Sequence, residues 1–288
     1  MIKLKKGAAE VRISPEGGGC VQSWMWQGRH LLRPGPARLT PAWDARTMAA
    51  FPLVPFPGRI QNGQFSTPTH QVTLAPNMPP EPHAIHGFGW QQAWTVQAAG
   101  PDHLSLAHQP DDVAWPWSYV AHQHFTLHET QLLVDLQLTN QSSDPMPAGL
   151  GWHPYFPRRG ARVQAQTLSI WEATLQTGSP VPRPIPPHQS LVEGPDVDAL
   201  RLDHAFDVPH APIRLHWPTH ILELSSDPVF SKIVVYVPEN EDFFCVEPLT
   251  QMPDAVNSTL DTSRTGLTWL APGETLSGQI RLTVTAVS

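Results

Sequence analysis

Fifteen histidines are too many for all to do chemistry, so the local sequence around each one decides. His86 lies in His83-Ala84-Ile85-His86-Gly87-Phe88-Gly89-Trp90. The glycines allow close backbone approach, and the indole of Trp90 offers a flat apolar face of the kind that stacks on a sugar ring. His153 lies in Gly151-Trp152-His153-Pro154-Tyr155-Phe156. The following proline holds it extended, and the aromatic surroundings lower its pKa, which makes it a tunable acid or base. Glu247 follows Phe243-Phe244-Cys245-Val246. A carboxylate in such an apolar run is not a surface residue by pattern; burial raises its pKa toward that of a base working near neutrality. Arg59 sits between Gly58 and Ile60 in a proline-bounded loop, where a guanidinium can grip a polar ligand with paired hydrogen bonds. Each residue also has a plainer reading: a surface arginine at a strand start, a turn histidine, a core histidine bonded to a carbonyl, a buried Glu–Arg pair.

The elements that must position these groups read as strands. Thirty-three prolines and 19 glycines run the whole length, a density that suits turns and strand ends and forbids long helices. Segments 9–14 and 20–26 pattern as a hairpin, as do 118–126 and 131–139. Further strands are expected at 94–98, 103–108, 162–169, 212–217, 220–225, 232–237, 243–246 and 278–286. A short helix is expected around 43–50, and 180–187 reads as an exposed proline-rich loop. The expected architecture is a large antiparallel sandwich, all-β, with 1–288 as a single domain.

Composition narrows the partners. A net charge of −7 with scattered Lys and Arg offers no basic stripe for a nucleic acid. No apolar run approaches the length of a membrane span. Cys20 and Cys245 are the only cysteines, too few for a disulfide framework and suited to a reducing compartment, so a cytoplasmic location is expected.

In their order along the chain, the Arg59 loop, the His86-Gly87 loop, His153-Pro154-Tyr155-Phe156, Leu202-Asp203-His204-Ala205-Phe206 and Val246-Glu247-Pro248 resemble the aldose 1-epimerase (galactose mutarotase) family, and the likeness covers essentially the whole chain. The resemblance implies a β-supersandwich and a free aldose as substrate, with no metal and no cofactor. It implies roles as well. Glu247 would take the proton of the anomeric hydroxyl, and His153 would protonate the ring oxygen. His86 would help polarise that oxygen. Arg59 and Asp203 would hold other hydroxyls, Asp203 being singled out by the resemblance alone. Trp90 is the expected stacking residue. A monomer or weak homodimer is expected. The chain departs from the family pattern at Gly58, where an asparagine is usual.

Three other readings stand beside this one. Arg158 and Arg159, just beyond the His153 motif, would suit an acidic or phosphorylated sugar. His122, His124 and Glu129 have the spacing of a cupin metal site, although Pro116 and Leu136 stand where that motif has glycines. A non-catalytic sugar-binding protein could keep the same fold.

Overall fold

The computed structural model describes residues 1–37, 43–110, 114–172 and 180–287. Two large antiparallel sheets dominate it, of eleven and eight strands. The eleven-stranded sheet begins with the meander Ile2–Lys6, Ala9–Ser14 and Cys20–Trp26, the last also pairing with the two-residue strand Arg29–His30. Then follow, side by side, Ala50–Leu53, Gly151–Pro157, Phe243–Leu249, Lys232–Val237, Leu202–Asp207, Ser169–Trp171 and Pro182–Arg183. The eight-stranded sheet runs Thr95–Ala99, His103–His108, Tyr119–Leu127, Gln131–Asn140, Thr275–Ala286, His220–Ser226, Ile213–Trp217 and Arg162–Gln164.

One apolar core contains side chains of both sheets, from Leu4 through Leu132, Val134 and Phe244 to Val284. Side chains of a strand alternate between its two faces. In Phe243–Leu249, Phe244 and Val246 enter this core. Phe243, Cys245, Glu247 and Leu249 point to the opposite face, where Phe243, Cys245 and Leu249 join a second cluster with Phe51, Leu53 and Tyr155. The whole strand is buried, which is why its sequence shows no polar alternation. The functional groups therefore stand on the far side of the larger sheet, over a floor that the core holds rigid.

The expected hairpins form with the predicted partners, Ala9–Ser14 with Cys20–Trp26 and Tyr119–Leu127 with Gln131–Asn140. Three expectations change, and a strand that was not expected appears beside them. The segment 162–169 divides: Arg162–Gln164 joins the smaller sheet, and Ser169–Trp171 the larger. The helix expected around 43–50 is a single 3-10 turn, Ala45–Thr47, capped by the Asp44 carboxylate. Ala50–Leu53 is a strand despite Pro52; it meets Cys20–Trp26 only at Ala50, so one side is free where the proline lacks its N–H. Within the proline-rich segment, Pro182–Arg183 adds a short edge strand to Ser169–Trp171. Among the described residues no helix is long and apolar enough to cross a membrane.

Candidate active site

The register of two central strands sets the heart of the site. Gly151–Pro157 and Phe243–Leu249 pair at Gly151–Leu249 and at Tyr155–Cys245, with no pairs between. That gap contains Pro154 and Pro248, which have no N–H to give to a ladder. His153 and Glu247 face each other across it, Nε2 to Oε1 at 3.3 Å. Both are buried, 7 % and 2 % exposed.

Two aromatic rings pack against the imidazole of His153, Phe51 at 4.6 Å and Tyr155 at 4.7 Å between centroids. Burial drives its pKa down to about 3; its own backbone carbonyl opposes the shift, while Arg33 and Arg59 add to it. Burial likewise pushes Glu247 well above the ordinary carboxylate range, helped by Asp203 and opposed by Arg59. Each shift has the same cause: a charged form loses its hydration in this cavity.

Two loops zip together to bring in Arg59 and His86. Arg59 and Ile60 pair with Ile85 and Ala84. The backbone of His86, at a φ of +62°, donates its N–H to the Gly58 carbonyl at 2.8 Å. In return the Gly58 N–H donates to His86 Nδ1 at 3.1 Å. Burial holds the His86 pKa well below its ordinary value, with further depression from His153 and Arg59. A neutral imidazole that accepts at Nδ1 carries its proton on Nε2, so His86 is a fixed donor. Gly58 itself has a φ of +71°, and a Cβ there would lie 2.8 Å from Pro253. That contact explains the missing asparagine: the loop has no room for a side chain at this position.

Arg59 reaches two carboxylates, Glu81 and Asp203, each at 3.8 Å. Its loop is anchored from below by Asp254, whose N–H donates to the Arg59 carbonyl at 2.7 Å and whose carboxylate accepts the Gln61 N–H. The result is a cleft of about 540 Å³. All six residues singled out in the sequence line it: Arg59, His86, Trp90, His153, Asp203 and Glu247. Trp90, however, is only 2 % exposed. It stacks on Phe51 at 5.3 Å and donates its N–H to the Ile85 and Gly87 carbonyls. It is a wall of the cleft whose ring is occupied, rather than an open platform.

Sequence reasoning missed Arg33, Glu81 and Tyr236, which also line the cleft. Arg33 sits over the rings of Tyr155 and Phe243 at 4.0 and 4.4 Å and donates to the Met48 carbonyl at 2.9 Å. Nothing local in Leu32-Arg33-Pro34 marks it.

Arg158 and Arg159 lie outside the cleft, in a neighbouring depression with Asp198 and Arg201. Arg158 is spent on Asp198 at 2.7 Å. The cupin spacing fails as well. His124 Nδ1 is hydrogen-bonded to Ser105 Oγ at 2.8 Å, Glu129 packs toward Gly7, and among the described residues these donors do not gather.

The chain resembles known proteins over nearly its whole length. An uncharacterised Escherichia coli K12 protein, YphB, is 29 % identical over 98 % of this chain and 97 % of its own. A second one, YihR, is 22 % identical over 90 % and 87 %. A crystal structure from Escherichia coli K12, described as a candidate aldose 1-epimerase, superposes with a TM-score of 0.87 at 27 % identity, over 99 % of this chain and 98 % of that one. A galactose mutarotase-like protein from Clostridium acetobutylicum has the same fold, with a TM-score of 0.89 at 19 % identity over 99 % and 95 %. The family profile described as Aldose 1-epimerase matches residues 1–283, and the chain belongs to that family.

Proposed function

We propose that this protein is a mutarotase that interconverts the α and β anomers of a free, neutral aldose by opening and reclosing the sugar ring. The observation that carries the reading is the buried 3.3 Å contact of His153 with Glu247. Ring opening removes a proton from the C1 hydroxyl and delivers one to the ring oxygen. Both oxygens are bonded to the same carbon, so base and acid must be close neighbours.

Burial disfavours charge on both groups, so in this mechanism the resting proton is placed on Glu247 and His153 is neutral. Transfer across the contact creates a glutamate base and an imidazolium acid together. Glu247 then takes the C1 hydroxyl proton as His153 protonates the ring oxygen. The ring-opened state thereby restores the resting protonation, without exchange with solvent. Rotation about C1–C2 presents the other carbonyl face, and reclosure runs the transfers backward. His86 donates its Nε2–H to the sugar, while Arg59 and Asp203 take hydroxyls. Each positioned acid or base contributes roughly 10²–10⁴ in rate.

A neutral sugar is favoured by the charges at the cleft. Arg59 is shared by two carboxylates, Arg46 is held by Asp44 at 2.6 Å, and Glu241 adds a further negative charge. The third cleft arginine, Arg33, lies over the Tyr155 and Phe243 rings and donates to the Met48 carbonyl, so none of the three stands free for a phosphate. The proposal includes residence in a reducing compartment such as the cytoplasm, which suits two buried, unpaired cysteines, and a single domain built on the shared core.

Polarimetry of freshly dissolved α-glucose and α-galactose tests the reading. Faster approach to anomeric equilibrium, undiminished by a chelator, is expected. Acceleration confined to sugar phosphates would overturn the neutral substrate, and acceleration of no sugar would leave a binding protein.

A further inference from the structure

Cys245 has no part in the proton transfers, yet it stands beside them. It shares a strand face with Glu247, two residues along, and is paired in register with Tyr155, two residues from His153. It is free and fully buried. One donor atom each from His153, Cys245 and Glu247 lies within 4.8 Å of the other two, the only such group of three or more among the described residues. In addition, His153 Nδ1 is buried, and no other residue offers it a hydrogen bond.

We propose that His153, Cys245 and Glu247 form an inhibitory site for a borderline-soft divalent cation of the zinc class. Nitrogen, thiolate and carboxylate donors match that class. Ligands of a tetrahedral zinc lie roughly 2.0–2.3 Å from the metal, so small side-chain rotations close the set. The thiol proton and the proton that rests on Glu247 both leave to water as sulfur and carboxylate bind the metal. His153 and Glu247 line the cleft, so a water or a sugar hydroxyl from it completes the shell. Asp44, Glu81, Asp203 and Glu241 line that cleft against Arg33, Arg46 and Arg59, four carboxylates to three guanidinium groups, a balance that favours the entry of a cation. Occupancy removes the acid and the base at once, so zinc competes with the sugar. This consequence rests on the proposed mutarotase mechanism; the binding itself does not.

Cobalt(II), added to metal-free protein, tests the binding. A thiolate-to-cobalt charge-transfer band in the near ultraviolet is expected for the unsubstituted protein and for Cys20→Ala, and is expected to be absent from Cys245→Ala. Cys245→Ser gives the same reading if the smaller side chain weakens the strand pair. Zinc should slow mutarotation reversibly by chelation, and Cys245→Ala should need at least about tenfold more zinc, the order that loss of a metal-site partner costs. No band in the unsubstituted protein, or a band that survives Cys245→Ala and Cys245→Ser, overturns the site. A Cys245-dependent band without inhibition by zinc supports the site and overturns the assignment of His153 and Glu247 as the working pair.

Discussion

At the scale of residues, Glu247 and His153 act in the proposed mechanism as one proton-holding unit. Between about pH 3, the value of His153, and the raised value of Glu247, the unit holds a single proton. Turnover needs that proton. The catalysed rate, after subtraction of the spontaneous reaction, is therefore expected to be flat across this window and to fall as pH rises through the Glu247 value. A rate that climbs without limit into alkali would sink the shared-proton scheme. Glu247→Gln keeps the shape of the group but cannot accept the proton. It should lower turnover by about 10²–10⁴ and leave much of the sugar binding intact, as followed by polarimetry and by calorimetric titration. An unchanged rate would move the base elsewhere. These residues were legible because each stands in an odd setting: a histidine pinned by glycines, another among aromatics, a carboxylate in an apolar run. Arg33 and Glu81 were not legible, because their settings are ordinary and only folding brings them to the cleft.

At the scale of elements, a buried ion pair ties together the strands behind Asp203. Lys232 and Asp207 are cross-strand partners, Nζ to Oδ1 at 2.7 Å, 6 % and 18 % exposed at their side chains. The Ser169 hydroxyl also donates to Asp207, and the ammonium lies 5.6 Å from the Trp171 ring centre. Lys232→Met leaves a largely buried carboxylate without its partner and is expected to cost about 3–5 kcal/mol, measured by urea unfolding. Lys232→Met combined with Asp207→Leu should recover most of that loss; a double variant as weak as the single one would show that shape rather than charge matters there. Long alternating hairpins such as Tyr119–Leu127 with Gln131–Asn140 were plain in the sequence because one face is apolar along most of both strands, Gln123 and Asn140 excepted. The strand Ala50–Leu53 was hidden, since its pairing with Gly151–Pro157 is a tertiary fact that overrides the proline signal. The two-residue strand Pro182–Arg183 was hidden for the same reason.

At the scale of the molecule, the strands that meet at the site come from distant parts of the chain. Ala50–Leu53, Gly151–Pro157 and Phe243–Leu249 are neighbours in one sheet, so contacts are mostly non-local and folding is expected to be slow. The smaller sheet has a different weakness. Its strand Thr275–Ala286 lies in the interior, between Gln131–Asn140 and His220–Ser226. Deleting 275–286 removes Leu276, Ile280, Leu282 and Val284 from the core and leaves two long unpaired edges. The truncated chain is expected to aggregate or lose its native circular dichroism; a soluble truncated protein that still turns over sugar would refute this.

That interior position also dictates an order of events at the ribosome. By the time Leu249 has been made, every strand of the sheet that bears the cleft exists. The partner sheet still waits for a strand that is synthesised after all the others. Until those last twelve residues emerge, the nascent protein presents two open strand edges to its surroundings, the circumstance in which chains pair with the wrong neighbour. The interval between finishing the site and closing the sandwich is thus the period when this protein most needs a chaperone.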